Sequence, residues 1–184
     1  MALVEAASTS NEAPAHRGAA LQALLDSLHL GDRRLTPTEL ERVARVVAVR
    51  RDLWGDLVVD SPDRRWWLVL RRTHHYDVRV LSWETDQASD WHDHGGSSGG
   101  FSVVDGTLDE RYRSGDGSRL LERRFEPGAS GCFGPAHVHD MEHESGHPAV
   151  SIHAYSPPLR CLTMYDETPY GLVAREVCWE EDRA

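Results

Sequence analysis

The fold class predicted by this sequence is mainly β, an antiparallel barrel carrying a small helical cap at its N-terminal end. Three observations predict it. Helix-period segments are confined to the residues before Val49, short β-like runs between Gly, Pro, Asp and Ser turns fill the remaining two-thirds, and there is neither a long strand–helix alternation nor an internal repeat. A length of 184 residues suits one domain, and 40% hydrophobic residues with six Trp are enough for a core.

Residues 1–18 mix Ala, Ser, Pro and Asn with charges and show no period, so they are read as a disordered tail ahead of a single domain over 19–184. The cap occupies 19–50. Its first helix places Leu21, Leu24, Leu25 and Leu28 on one face. The second opens with Thr36 as N-cap, Pro37 in the first turn and Glu39 completing a capping box, and aligns Leu40, Val43, Ala44 and Val47. The barrel occupies 65–178, with strands expected at 66–71, 77–83, 100–104, 107–112, 120–125, 137–142, 149–155, 162–166 and 172–177.

Charge and composition exclude several function classes. Thirty Asp and Glu against twenty Lys and Arg leave a net charge of −10, and the basic residues are scattered, so no nucleic acid is expected as partner. No run approaches the ~20 apolar residues of a membrane span, and the first residues lack the charged start and apolar stretch of a secretory signal, so a cytoplasmic chain without membrane contact is expected. Cys132, Cys161 and Cys178 are widely spaced with no CxxC and are read as small buried hydrophobes.

Histidine is the outlier. Of eleven, seven fall between His92 and His153, a concentration that calls for a metal or for acid–base chemistry. In Trp91-His92-Asp93-His94 the two histidines would share one side of an extended strand, as two ligands of one metal would need. The plainer reading, two surface histidines on a polar loop, loses ground because Gly95-Gly96-Ser97-Ser98-Gly99-Gly100 follows at once, as beside a crowded site. A third ligand is offered by His137, His139 or His143. In Ser151-Ile152-His153-Ala154-Tyr155 the polar residues share one face. That is either an ordinary amphipathic strand or a hydrogen-bonded chain in which Ser151 orients His153 and His153 sets the proton position on Tyr155.

From Arg65 to Asp166 the sequence resembles the cysteine dioxygenase family of thiol dioxygenases, cupins built on a double-stranded β-helix (jelly-roll) barrel. Three segments carry the resemblance: Leu81-Ser82-Trp83 leading into Trp91-His92-Asp93-His94-Gly95-Gly96-Ser97-Ser98-Gly99, then His139-Asp140-Met141-Glu142-His143, and Pro148-Ala149-Val150-Ser151-Ile152-His153-Ala154-Tyr155-Ser156-Pro157-Pro158-Leu159. The resemblance implies one mononuclear Fe(II) held by His92, His94 and His139, with His139 preferred to His137 for the residues that follow it. It also implies catalytic roles for Tyr155, His153 and Ser151, and a small thiol, L-cysteine by default, oxidised with O2 to its sulfinate. Gly99 stands where most metal cupins carry a glutamate ligand and where animal members carry a cysteine cross-linked to the tyrosine, so the resemblance is to the bacterial type.

One departure bears on the substrate. Val69 stands at the position of the family's carboxylate-binding arginine, and a buried carboxylate without a cation is costly. Arg79 shares strand parity with Leu81 and Trp83 and is the substitute candidate, unless a twist or bulge puts it on the surface. Arg71 and Arg72 are weaker alternatives for that cation and read rather as solvated strand-end charges. Trp67, Trp83 and Leu81 are expected to line the pocket. An arginine on a different wall would favour 3-mercaptopropionate or a larger thiol over cysteine, and loss of the pocket arginine is the main support for a non-thiol metabolite. A cupin that binds a metal or small molecule without turnover is the alternative of another class.

Overall fold

In the computed structural model, which describes residues 15–114, 119–144 and 146–179, two helices precede eleven strands. Helices α1 (Ala15–Asp26) and α2 (Pro37–Ala48) are followed by β1 (Trp66–Arg72), β2 (Asp77–Trp83), β3 (Gln87–Ala88), β4 (Ser98–Asp105), β5 (Leu108–Arg113), β6 (Leu120–Phe125), β7 (Ser130–Phe133), β8 (His139–His143), β9 (Ala149–Ser156), β10 (Cys161–Thr168) and β11 (Gly171–Trp179). Among the described residues no helix is long and apolar enough to cross a membrane.

The capping box at α2 is formed in both directions: Glu39 N–H donates to Thr36 Oγ1, and Thr36 N–H donates to the Glu39 carboxylate at 2.9 Å. The face so started buries Leu40, Val43, Ala44 and Val47. They pack on one surface of a five-stranded antiparallel sheet in the order β1-β2-β9-β4-β7. That sheet is covered on both sides, which is why every residue of β2 and β9 is buried. Val78, Val80, Val150, Ile152 and Ala154 meet the helices, whereas Leu81, Trp83 and Tyr155, of opposite parity, join a second core with Phe101, Phe133, Met141 and Leu162 inside the barrel. The apolar side of the 149–155 run therefore faces the cap, and its polar side faces the barrel interior.

The opposing wall is the sheet β3-β8-β5-β6 together with the hairpin β10-β11. Residues 91–93 join its two parts. His92 exchanges backbone hydrogen bonds with His139 on β8 (2.9 and 3.0 Å), Asp93 N–H donates to Thr163 O, and Tyr165 N–H donates to Trp91 O.

Several boundaries differ from expectation. Helix α1 begins at Ala15, inside the stretch read as tail, and the rest of that reading, 1–14, lies outside the described residues. Two short 3-10 turns, Arg51–Leu53 and Gly55–Leu57, flank the buried Trp54, whose indole N–H donates to Val47 O at 2.9 Å; each is too short to show a period. β3 has two residues and β7 opens Ser-Gly, so neither alternates recognisably. β8 starts at His139 because His137 N–H still closes a turn onto Gly134 O. Cys132 and Cys161 are half-buried free thiols rather than fully buried ones. Cys132 is on the outward-facing parity of the edge strand β7, and Cys161 is the first residue of β10. The Cys178 side chain lies outside the described residues.

Helix α2 lies so close to β4 that a Cβ on Gly100 would sit 2.2 Å from Glu41 N and 2.5 Å from Leu40 C, both backbone atoms. Overpacking of this kind costs roughly 1–3 kcal/mol. Gly100→Ala is therefore expected to lower the melting temperature by several degrees, read by thermal unfolding against the parent.

Candidate metal centre and its cavity

The backbone pairing just described brings His92 and His94, from one extended segment, beside His139 at the start of β8. One ring nitrogen from each lies within 4.8 Å of the others, and all three side chains are buried. Asp93, pointing the other way, fixes the segment: its carboxylate accepts Gly95 N–H at 2.9 Å, Thr163 N–H at 3.2 Å and the Tyr165 hydroxyl at 2.8 Å.

The tautomers follow from the partners. His92 Nδ1 is 2.8 Å from Asp90 O, which can only accept, so Nδ1 carries a hydrogen and Nε2 is the nitrogen left to bind a metal. His139 Nδ1 is 2.6 Å from Glu110 Oε1, with the same consequence. Burial holds the His94 and His139 rings below the usual imidazole range, outweighing in His139 the pull of Glu110. Neutral, buried imidazoles with converging lone pairs suit a divalent transition metal, and buried His94 Nδ1 has no hydrogen-bond partner among the described residues. This set could hold one ion.

Glu110 was not singled out in the sequence. It is fully buried and takes hydrogen bonds from His137 Nε2 (2.9 Å), His139 Nδ1 and Arg123 Nε. Burial opposes its ionisation, but these donors hold its carboxyl well below the usual carboxylate range. The only sequence hint was its place in the strand after the Gly106 turn, four residues on, with inward parity. His137 thus partners Glu110, forming with it and His139 a second group beside the first. His143 is buried, its Nδ1–H donating to Thr107 O.

Beside the three histidines is a cavity of about 40 Å³, room for roughly three water-sized groups, lined among others by Trp67, Arg79, Leu81, Trp83, His153 and Tyr155. The chain expected along β9 is in register. Trp83 Nε1–H donates to Ser151 Oγ (2.9 Å), Ser151 Oγ is 2.9 Å from His153 Nε2, and His153 Nδ1 is 3.2 Å from the Tyr155 hydroxyl. Burial, reinforced by His139, Arg65 and Arg79, lowers the His153 pKa to about 3, so the ring is neutral. Trp67 is half-buried; Leu81 and Trp83 are buried.

Arg79 is buried and lines this cavity. Its guanidinium donates to Asp77 Oδ2 (2.6 and 3.2 Å) and Leu159 O (2.9 Å), and it lies over the rings of Trp67 and Tyr155 at 4.9 and 5.7 Å. Arg65, also on the cavity wall, lies over Trp83 at 4.6 Å. Arg71 and Arg72 do not line this cavity. They are half-buried rather than solvated, and Arg72 is 3.5 Å from Asp77 Oδ2.

A family profile described as cysteine dioxygenase type I matches residues 34–168, most of the chain and all three histidines. The chain belongs to the cysteine dioxygenase type I family. Solved structures agree on the fold. A protein with a double-stranded β-helix domain from Klebsiella pneumoniae is 16% identical at a TM-score of 0.52, over 60% of this chain and 86% of that one. The TT1209 protein of Thermus thermophilus is 18% identical at 0.50, over 56% and 93%. The fold is thus the cupin barrel, and family membership makes the chain a cupin-type metal-dependent oxygenase.

Gly99 and Val69, the positions singled out in the sequence, each have a local counterpart. At Gly99 an added Cβ would lie 2.1 Å from the Phe133 ring, which occupies the space a side chain there would need. Phe133 stacks on His94 at 4.4 Å and on His137 at 5.0 Å, and lies 6.5 Å from Tyr155. Val69 is paired directly with Arg79 across the β1–β2 ladder, on the same face, so the guanidinium comes from the neighbouring strand.

Carboxylate partners that orient a histidine ligand typically change metal affinity by 10–100-fold. Glu110→Gln is expected to weaken binding of Fe(II), or of Co(II) as a spectroscopic probe, by that order, measured by competition with a chelator. An unchanged affinity would show that His139 is held well enough without the carboxylate.

Proposed function

We propose that this chain is an Fe(II)-dependent dioxygenase that oxidises a small thiol, L-cysteine by default, with O2 to the sulfinate. The observation that carries the reading is the composition of the site: three buried histidines with no carboxylate among them, two of which line a small cavity whose wall holds a buried guanidinium. Three neutral ligands leave a divalent iron with its charge uncompensated, which favours an anionic thiolate in the same cavity. Iron held by His92, His94 and His139 would activate O2 and lower the pKa of the substrate thiol.

The rest is work for the protein's own residues. Trp83 is a donor only, so Ser151 Oγ accepts from it and has its own hydrogen to give to His153 Nε2. In that tautomer the neutral His153 carries its hydrogen on Nδ1 and donates to Tyr155 Oη, which sets the phenol as a donor toward substrate. Arg79, held by Asp77 and Leu159 O and stacked on Trp67, is placed to receive the substrate carboxylate, and Leu81 and Trp83 close the apolar side.

Because the cation arises from β2 rather than β1, a thiol with a different spacing between sulfur and carboxylate, such as 3-mercaptopropionate, is the second reading.

Anaerobic loading with Fe(II), followed by oxygen uptake with L-cysteine, 3-mercaptopropionate and cysteamine and mass analysis of the sulfur product, tests both. Uptake with L-cysteine and appearance of its sulfinate is expected. No uptake with any thiol despite bound iron would sink the reading. Arg79→Lys keeps a charge beside Asp77 but loses the fork, a loss of about 1.5 kcal/mol toward a carboxylate. It should raise KM roughly tenfold for the thiols that carry a carboxylate and leave cysteamine, which has none, unaffected.

A further inference from the structure

We infer that the groove between the helical cap and the β1–β2 hairpin is a binding site for a small multivalent anion, of the phosphate or polycarboxylate type. The groove encloses about 770 Å³ and shares none of its lining residues with the metal cavity. Across the chain acidic residues outnumber Lys and Arg by thirty to twenty, yet this lining reverses the sign: Arg71, Arg72 and Arg160 with His29, His74 and His75, against Asp26 and Asp32. Both aspartates already have partners. Asp32 is bound by His75 Nε2 at 2.8 Å, and Asp26 takes a hydrogen bond from Gln22.

The arginines are held in place by the fold. The register of β1 against β2 shifts between Val69 and Arg71, so Arg71 comes to pair with Val78, on the face toward the cap, and Arg72 with Asp77. Without that bulge Arg71 would be aimed into the barrel; Arg72, on the other face, borders the groove from the end of β1. Arg71 Nε is buried and has no hydrogen-bond partner among the described residues, an unmet donor that an anion would satisfy. Arg72 is anchored by Asp77 at 3.5 Å. The turn between the strands is rigid as well: Thr73 Oγ1 accepts the N–H groups of His75 and Tyr76, and Thr73 N–H donates to Tyr76 O. Planar guanidinium donors on a fixed hairpin match the geometry of phosphate and carboxylate oxygens. Thiol oxidation uses none of these groups, so the inference stands apart from the proposed activity.

Calorimetric titration of the full chain with inorganic phosphate and, separately, with citrate tests it, with sodium chloride at matched ionic strength as control. Saturable binding with Kd of about 1 mM or tighter is expected for at least one. Phosphate alone would assign the phosphate class, and citrate alone the polycarboxylate class. Arg71→Gln with Arg160→Gln should weaken binding at least tenfold while leaving the melting temperature within a few degrees. If that double variant folds poorly, Arg160→Gln alone, at an exposed side chain, should still weaken it severalfold. Binding no different from chloride, or binding that survives these substitutions, would overturn the site.

Discussion

The structure depends on one constraint: the central strands β2 and β9 are buried on both faces, and their two faces carry opposite chemistry. A strand sends alternate side chains to opposite sides. The even positions of these strands supply the aliphatic surface on which α2 lies. The polar odd positions, Asp77, Arg79, Ser151, His153 and Tyr155, are thereby committed to the barrel interior, away from bulk water. The helical cap is thus more than a cover. It makes the outer face hydrophobic, and so allows a polar inner face without loss of the sheet's place in the core.

Polar groups enclosed in this way must be matched within the protein. The interior does so in short closed sets. Asp77 meets Arg79, and Trp83, Ser151, His153 and Tyr155 form one continuous sequence of hydrogen bonds. Glu110 gathers His137, His139 and Arg123. Each set holds a cavity-facing or metal-facing group in one orientation and, in the histidines, in one tautomer. The neutrality of the rings has the same origin: burial penalises the imidazolium, in His139 by more than Glu110 favours it and in His153 together with the charges of Arg65 and Arg79.

Cross-strand neighbours fill the cavity wall. Val69 and Arg79 are direct neighbours in the ladder, so the guanidinium from β2 shares a wall with Val69 and has Asp77 as its anchor. In the same manner Phe133, from β7, fills the space above Gly99 on the paired strand β4 and packs against His94.

Much of this was legible in the chain itself. The capping box of α2, the parity of Leu81 with Trp83 and of His153 with Tyr155, and the HxH spacing are local properties, set by backbone periods of 3.6 and 2 that any reader of the sequence can count. The sequence by itself therefore determined the cap, most of the strands, the set of candidate ligands and which residues share a face. It did not reveal β3 or β7, whose short or glycine-containing runs show no alternation, nor the start of β8, which depends on a turn at His137. Only the tertiary structure decided which of three histidines joins His92 and His94, that Glu110 stands behind it, that Arg79 faces the cavity with Asp77, and that Arg71 turns to the cap groove. These outcomes depend on which strands pair and in what register, down to a single bulge, and register is a long-range property that no local spacing encodes.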